Sequence, residues 1–494
     1  MRKQKSTIVP PCCYGLMLAA ALGLAPGAAA QCIDMVKLLA SDGAAGDNFA
    51  LIISISGDVV VVGAPQDDDS GSDSGSAYVY RFNGTTWVEE QKLVASDSAA
   101  GDFFGIRVSV NGDVAVVSAI GDDDKGDDSG SAYIFRHNGS MWVEEQKLTA
   151  TDGAAFDNFG SSVSVSGDVA VVSAYRDEDN GNDSGSAYIF RFNGSMWVEE
   201  QKLTATDGAA SDIFGSSVSV SGDVVVVVAP QDDDSGSDSG SAYVYRFNGA
   251  TWVEEQKLTA SDGAAFDNFG SSVSVSGDVA VVSAYQDDDN GGNAGSAYIF
   301  RYNGAMWVEE QKLLASDGAA DDQFGISVSV SGDLAVVGAF LDDDRGASSG
   351  SAYVYRFDGI AWVEEQKLTA TDGEANDGFG YSVSVSGDVA VIGAIGDDAG
   401  SAYIPDLRLN RLNADCNGNG IADVVDLLDG AAADCNDNLI PDSCDIAGGF
   451  SLDANVNGIP DECEISACPG DITGDGLTNV TDLLALLAAW GACP

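Results

Sequence analysis

The sequence is short of basic residues, and this shortage excludes two classes of partner. Among its 494 residues, 22 are Lys or Arg and 78 are Asp or Glu, so the formal net charge is −56. Such a chain has no general electrostatic attraction to nucleic acid or to an anionic membrane. After the first thirty residues, no segment is apolar over the roughly 20 residues that a membrane-spanning helix needs. We therefore expect no nucleic-acid partner and no membrane span.

Cysteine is absent from the middle of the chain, residues 33–415, and the positions of the nine cysteines indicate export. Two of them lie in residues 1–30, where a basic start, an apolar run over residues 14–25 and Ala28-Ala29-Ala30 form the pattern of a signal peptide. Six lie beyond residue 415, in short acidic segments typical of disulfide-stapled exported domains. Cys468 and Cys493 flank the last segment and are expected to pair. Three pairings stay open for the four cysteines before them, and Cys32 is left over.

A period of 55 residues dominates the chain. Phe recurs at positions 49, 104, 159, 214, 269, 324 and 379, and Trp recurs with the same interval from Trp87 to Trp362. One unit holds four strand-like runs, at residues 160–166, 169–174, 186–192 and 197–203, and the last run reads WVEEQKL in six copies. Tight-turn signals separate the first two runs and the last two, whereas long acidic loops form the other connections. Seven such units predict an all-β fold, a seven-bladed β-propeller of four-stranded blades.

The two ends of the repeat region predict that the ring is closed. The seventh copy stops after its third run at Ile404, and Val36-Lys37-Leu38 precedes the first copy at the position of an isolated fourth run. Exchange of that run would remove both free sheet edges, whereas an open solenoid would need polar caps. We therefore expect residues 31–405 to form the propeller.

The units resemble FG-GAP repeats, the blades of the integrin alpha-subunit propeller. Six copies keep Phe-Gly, as at Phe104-Gly105, and Gly63-Ala64-Pro65 matches the second half of the motif. The resemblance implies an extracellular adhesion or recognition function. In integrin-type blades that bind calcium, the cation loop joins strands 1 and 2. Here that connection is only Ser-Gly-Asp, so those sites are not expected in this chain.

The acidic residues repeat on one face of the predicted disc, in the loops between strands 2 and 3. The clusters begin at Asp67, Asp122, Asp177, Asp232, Asp287, Asp342 and Asp397. Two interpretations stay open: a solvated acidic surface, which we favour, or calcium held by loops such as Asp67-x-Asp69-x-Gly71-x-Asp73. The repeated tryptophans are expected to pack between blades rather than to stack on sugars.

The sequence offers no catalytic set, and we expect that this protein is not an enzyme. Its only histidine, His137, stands where other copies carry Phe or Tyr, so we interpret it as a substitution at a strand end. A nucleophile–histidine triad cannot be assembled from a single histidine in this place.

Beyond a linker at residues 406–414, the C-terminal segment repeats a different pattern, that of the twelve-residue calcium loop. Four loops start at Asp415, Asp434, Asp453 and Asp471 and place oxygen-bearing side chains at loop positions 1, 3, 5, 9 and 12. The predicted Ca²⁺ ligands are Asp415, Asn417, Asn419, Asp423, Asp426, Asp434, Asn436, Asn438, Asp442, Asp445, Asp453, Asn455, Asn457, Asp461, Glu464, Asp471, Thr473, Asp475, Asn479 and Asp482.

Residues 415–464 resemble thrombospondin type 3 loops, and residues 465–494 resemble half of a dockerin type I module, a calcium loop followed by a short helix. A dockerin usually pairs two such halves. The sequence therefore favours a secreted or cell-surface, non-catalytic, calcium-binding propeller that recognises an extracellular protein or glycan. The alternative is a glycan-binding subunit of a polysaccharide-degrading assembly whose tail docks to a cohesin-like receptor.

Overall fold

A computed structural model describes residues 35–405, Leu407 and Ser443, and within residues 35–405 every regular element is a β-strand. In chain order the first strands are β1 (Met35–Leu38), β2 (Ile53–Ser56), β3 (Val59–Ala64), β4 (Ser76–Phe82), β5 (Trp87–Leu93), β6 (Val108–Asn111), β7 (Val114–Ala119), β8 (Ser131–His137), β9 (Trp142–Leu148), β10 (Val163–Ser166), β11 (Val169–Ala174), β12 (Ser186–Phe192), β13 (Trp197–Leu203) and β14 (Val218–Ser221). The others are β15 (Val224–Ala229), β16 (Ser241–Phe247), β17 (Trp252–Leu258), β18 (Val273–Ser276), β19 (Val279–Ala284), β20 (Ser296–Tyr302), β21 (Trp307–Leu313), β22 (Val328–Ser331), β23 (Leu334–Ala339), β24 (Ser351–Phe357), β25 (Trp362–Leu368), β26 (Phe379–Ser386), β27 (Val389–Ala394) and β28 (Ser401–Pro405).

The strands form seven four-stranded antiparallel sheets, which are the predicted blades. Blades 1 to 6 each use four consecutive strands, from β2–β5 in blade 1 to β22–β25 in blade 6. Blade 7 has the order β1-β28-β27-β26, so its outer strand comes from the N-terminal side of the repeats. Val36 lies opposite Ile404 and Leu38 lies opposite Ala402. The predicted closure of the ring by strand exchange is therefore confirmed.

The core lies between adjacent blades. In blades 1 to 6 the second strand is buried along its whole length, as in β11, because it is covered on both faces. Ala170 and Val172 pack against the preceding blade, whereas Val169 and Val171 pack against the following one. These strands therefore require continuous apolar runs such as VAVV. In a sheet with one face exposed to solvent, alternating apolar and polar residues would suffice.

The inner strand is shorter than predicted. The expected run at residues 160–166 begins as a strand only at Val163, because Gly160 adopts a φ of 98° and breaks the extended backbone. Both Gly160 and Ser161 donate their N–H groups to the carbonyl of Ser173, which is a bulged pairing. A Cβ on Gly160 would lie 2.7 Å from the Cβ of Ser118 in the preceding blade, so the Phe-Gly motif needs glycine here.

The alternation of serine and valine in the inner strands has a second cause besides burial. Each inner-strand serine accepts a hydrogen bond from a backbone N–H of the next blade, as Ser164 Oγ does from Val220 N at 3.0 Å. The pattern continues around the ring and closes where Ser384 Oγ accepts from Ile55 N at 3.1 Å. A second ring of such bonds lies two residues further along the inner strands, where Ser386 Oγ accepts from Gly57 N. These serines therefore fix the position of each inner strand relative to that of the next blade.

The constant WVEEQKL strand holds successive blades together. Trp197, which opens β13, is buried, and its backbone N–H and C=O bond the side chain of Gln146 in the preceding blade, both at 2.8 Å. Its indole N–H donates to Glu145, which also pairs with Arg136. Equivalent tryptophans at 142, 252, 307 and 362 are also buried. Their predicted packing between blades is confirmed.

One interface between blades lacks these hydrogen bonds between a glutamine side chain and a tryptophan backbone. At the junction of blades 7 and 1, β1 places Met35 and Val36 where the other outer strands carry Glu and Gln. A valine side chain cannot bond the backbone of Trp87, and Trp87 is correspondingly only half-buried. The interface between blades 7 and 1, here called the seam, therefore has fewer polar contacts than the other interfaces.

Candidate functional site

The acidic face of the disc is formed by the loops between second and third strands, such as residues 65–75, and by the linkers between blades, such as residues 94–107. The antiparallel strand order brings these two kinds of connection to the same side, and the tight turns lie on the other side. The predicted distribution of the acidic clusters on one face follows from this topology.

In blade 3, three carboxylates of the acidic face converge on one lysine. Lys202, in the constant outer strand, places its Nζ 2.8 Å from Asp152 and from Asp177, and 2.6 Å from Asp179. Tyr188 donates its hydroxyl hydrogen bond to Asp152 and Asp177 at 3.0 and 2.9 Å. Asp152 belongs to the linker from blade 2, so the cluster also ties that linker to the blade.

The electrostatics of this cluster follow from its partial burial. Burial alone would raise the pKa of Asp152, but the hydrogen bonds from Lys202 and Tyr188 outweigh it and lower that pKa. Burial and the charge of Asp177 raise the pKa of Tyr188, so the phenol stays protonated and donates. The lysine remains charged because its carboxylate partners overcome the desolvation of its ammonium group.

The arrangement repeats in every blade. The lysines at its centre are Lys37, Lys92, Lys147, Lys202, Lys257, Lys312 and Lys367. In blade 7, Lys37 pairs with only Asp372 and Asp397, because the shorter loop has no counterpart of Asp69. The favoured interpretation of a solvated acidic surface needs correction in blades 1 to 6, since the first carboxylate of each of their clusters is buried, as Asp177 is at 5% exposure.

Two carboxylates of the alternative calcium loop, Asp67-x-Asp69-x-Gly71-x-Asp73, share a lysine as their partner. Asp67 and Asp69 both contact Lys92, whereas the backbone N–H of Asp73 donates to the carboxylate of Asp68 at 2.8 Å. Four clusters bring three carboxylates close enough to hold a metal ion: Asp97/Asp122/Asp124, Asp152/Asp177/Asp179, Asp207/Asp232/Asp234 and Asp262/Asp287/Asp289. A lysine ammonium contacts all three carboxylates in each of them, so a cation would have to displace it.

The position that carries calcium in integrin-type blades does not fit an ion here. The connection between the first two strands of blade 1 is the two-residue turn Gly57-Asp58. The carboxylate of Asp58 lies 3.3 Å from the guanidinium of Arg81, so the one acid of the turn is already paired. A two-residue turn also cannot supply the six to eight oxygen ligands that Ca²⁺ takes.

Two phenylalanines break the polar character of the acidic face. Phe156 and Phe266 are 53% and 60% exposed and occupy equivalent positions in the linkers before blades 3 and 5. Both have a positive φ, 71° and 73°, at a position that is glycine in the first two linkers. A bulky residue in this conformation costs about 1–2 kcal/mol relative to glycine, and it exposes a ring to water. Sequence reasoning missed these residues, although they are exceptions to the repeat.

A pocket of about 510 Å³ lies beside Phe156. Its other walls include Arg176, Glu178 and Asp183, together with the carboxylates around Lys202. The guanidinium of Arg176 stacks over the ring of Tyr175 at 5.3 Å. The pocket therefore combines an exposed aromatic ring, a cation and several hydrogen-bond acceptors, a set that suits a polar ligand with one flat face.

His137 occupies the aromatic position at the end of its strand. Its ring centroid lies 5.5 Å from that of Trp142, as the Phe192 ring lies 5.6 Å from Trp197. Its Nε2 lies 3.6 Å from Glu90 in the preceding blade. The structure therefore places it as the packing substitution that the sequence predicted.

The remaining predicted sites lie outside the described residues. They are the signal peptide at 1–30, the linker apart from Leu407, all the cysteines and the twenty calcium ligands between Asp415 and Asp482. In the part of the chain that the structure describes, no helix is long and apolar enough to cross a membrane.

The chain belongs to the FG-GAP repeat family. The family matches residues 33–80, 87–135, 142–190, 197–245, 252–300, 307–355 and 362–404, which is more than half of the chain. Each of the seven matches covers the outer strand of one blade and the first three strands of the next. The match agrees with the seven sheets of the fold and with the Phe-Gly positions.

Two further comparisons add little. No curated protein matches the chain. Among solved structures, that of Sqt1 from Saccharomyces cerevisiae is similar at 11% identity, with a TM-score of 0.42 over 77% of this chain and 88% of that chain. This likeness is too weak to support an argument about function.

Proposed function

We propose that this protein is an extracellular, non-catalytic recognition propeller, which binds a protein or glycan ligand on its acidic face. Membership of the FG-GAP repeat family supports a ligand-binding or adhesion function. The observation that carries the choice of face is the pair of exposed phenylalanines, Phe156 and Phe266, which the repeat does not require and which are held in a costly backbone conformation.

The distribution of sequence differences between blades supports the same face. The outer strand is identical in six blades, whereas the residue after the second strand is Pro65, Ile120, Tyr175, Pro230, Tyr285, Phe340 or Ile395. Residues that hold blades together are constant because each makes the same contacts in every blade. Residues that face a ligand need no such constancy, so the variation of these loop residues is typical of a binding surface.

Calcium belongs to this proposal through the tail. The four predicted loops between Asp415 and Asp482 would bind Ca²⁺ and stiffen the C-terminal segment as a stalk or docking element. In the blades, a lysine already contacts the carboxylates between which an ion would have to bind. The proposed recognition by the acidic face is therefore independent of calcium, whereas the rigidity of the tail depends on it.

A second candidate is the glycan-binding subunit of a polysaccharide-degrading assembly, with a cohesin-like receptor for the tail. It is favoured by the same two phenyl rings, because aromatic faces stack on sugar rings and acidic side chains accept hydrogen bonds from hydroxyl groups. The tryptophans do not contribute to it, since five of the six in the repeats are buried between blades.

The test is binding of the full chain to a glycan array and to a panel of extracellular proteins, each with calcium and with EDTA. The variants are Phe156→Ser and Phe266→Ser, and the control is Met141→Ser, which removes an exposed apolar side chain from the turn face. We expect at least a tenfold loss of affinity from the phenylalanine variants and an unchanged affinity for the control. Equal binding by all three variants would contradict the proposed face.

A further inference from the structure

The central channel of the propeller contains a cavity of about 320 Å³ that is lined by residues from all seven blades. Its wall is formed where each inner strand begins, at positions such as Ser217 and Val218 in blade 4. This volume is within the range of small-molecule sites in proteins. The cavity is separate from the pocket beside Phe156, which lies between a linker and a loop.

The charge of this cavity is opposite to that of the protein. Although the chain carries 78 acidic residues, none of the residues that line the cavity is an Asp or Glu. The wall has one charged residue, Arg107, which belongs to blade 2. The equivalent position is serine in five blades, at Ser162, Ser217, Ser272, Ser327 and Ser382.

Arg107 has little to pair with. Its Nη1 donates to the carbonyl of the neighbouring Ile106 at 2.8 Å, and no ion pair is formed by it among the described residues. A guanidinium has five N–H donors, so most of them remain available. Burial lowers the pKa of Arg107, with Tyr381 and Tyr175 as the ionisable groups that act on it. The cation therefore bears a desolvation cost that no carboxylate in the wall offsets.

The serines of the wall add further donors. The Oγ atoms of Ser162, Ser217, Ser272 and Ser327 each accept a backbone N–H from the next blade, which leaves the hydroxyl proton of each serine to donate. The Oγ of Ser216 is buried and has no hydrogen-bond partner. The cavity wall thus offers a cation and several free hydroxyl protons but no anionic acceptor, and an acceptor-only ligand would pair with these donors.

We propose that the central channel binds a small oxyanion, a carboxylate or a phosphate, with Arg107 as its counter-charge and the channel serines as hydrogen-bond donors. Leu51, Ile326 and Tyr381 form an apolar part of the same wall, which suits a carboxylate attached to an apolar group. The site does not depend on the recognition function of the acidic face. Its ligand also differs in charge from the cationic or neutral ligands that the acidic face would attract.

The test is calorimetric titration of the full chain with inorganic phosphate and, separately, with benzoate, in 150 mM sodium chloride. This ionic strength reduces the Debye length to about 8 Å, so repulsion by the distant acidic groups is largely screened. The variant is Arg107→Ser, which introduces the residue that five other blades carry and is therefore expected to fold. The control is Lys125→Ser, which makes the same charge change at an exposed position of the acidic face.

We expect saturable binding of at least one anion by the unmodified protein and by the control, and a loss of at least tenfold in affinity with Arg107→Ser. Arg107→Lys should retain part of the affinity, because it keeps the charge without the planar donor group. Binding of benzoate alone would identify a carboxylate site, and binding of phosphate alone would identify a phosphate site. No saturable binding of either anion, or binding by Arg107→Ser within twofold of the unmodified protein, would overturn the proposal.

Discussion

Replacing Lys202 with methionine should expose how much each acidic cluster depends on its lysine. The substitution keeps most of the side-chain length but removes the charge that lies 2.6–2.8 Å from three carboxylates. Breaking a buried ion pair by removing one partner costs about 3–5 kcal/mol, because a buried charge is left uncompensated. Only Asp177 is buried here, while the side chains of Asp152 and Asp179 are 48% and 54% exposed. We therefore expect a loss of about 2–4 kcal/mol in the free energy of unfolding.

Calcium should reverse part of this loss in the variant. Without the ammonium group, the three carboxylates form an oxygen-rich site in which Ca²⁺ can replace it. A site of this kind, with few ligands, is expected to have a Kd of about 0.1–1 mM. At a calcium concentration tenfold above Kd, binding to the folded state alone would return about 1.4 kcal/mol.

The assay is denaturant unfolding followed by tryptophan fluorescence, with 5 mM calcium and with EDTA. Six of the seven tryptophans lie in the repeats, so the signal reports mainly on the propeller. Lys125→Met is the matched control, because it makes the same charge change at an exposed position of the acidic face. The reasoning would be refuted if Lys202→Met unfolded like the control, or if calcium stabilised the control as much as the variant.

Three further predictions concern the seam, the buried carboxylates and the tail. Val36→Gln should place an amide against the backbone of Trp87 and raise the unfolding free energy by about 1–2 kcal/mol for two hydrogen bonds. The control Val143→Gln, at an exposed strand position, should not raise it. Equal effects of the two substitutions would contradict a stabilising role for the glutamine–tryptophan hydrogen bonds. Burial raises the pKa of Asp157, so its ionisation weakens the fold above the pKa of the unfolded chain. Asp157→Asn should therefore raise the unfolding free energy at pH 7 and change it little at pH 3.5. A larger gain at pH 3.5 than at pH 7 would contradict this prediction. With EDTA, limited proteolysis should remove residues 415–494 first, and earlier digestion of the propeller would show that the blades hold an essential metal.

The fold could be predicted from the sequence because the same pattern of strands and turns recurs in seven units. The seven phenylalanines at a constant interval indicated the number of blades, and the isolated run around Lys37 indicated that the ring is closed by strand exchange. The start of the inner strand was predicted three residues too early, since the pattern of Ser and Val does not reveal that Gly160 has a positive φ. A single sequence contains the identity of a glycine but not its backbone angles.

The candidate sites were harder to predict, because they depend on contacts between distant residues. The lysine of WVEEQKL lies 50 residues after the linker carboxylate that it binds, as Lys202 does after Asp152, and the spacing alone does not pair them. The exceptions to the repeat were available as a signal: Phe156 and Arg107 each replace a smaller residue found in other copies. Their significance became apparent only when the fold placed one on an exposed face and the other in the channel.

The most direct test of the closed ring is to compare the unfolding of two chains that begin at residues 31 and 41. The shorter chain lacks β1, and with it four residues paired to β28, the buried side chain of Leu38 and the ion pairs of Lys37. Removal of one buried leucine side chain alone costs about 2–5 kcal/mol. The account predicts a large loss of stability and early proteolysis of β26–β28 in the shorter chain, and identical melting of the two chains would contradict it.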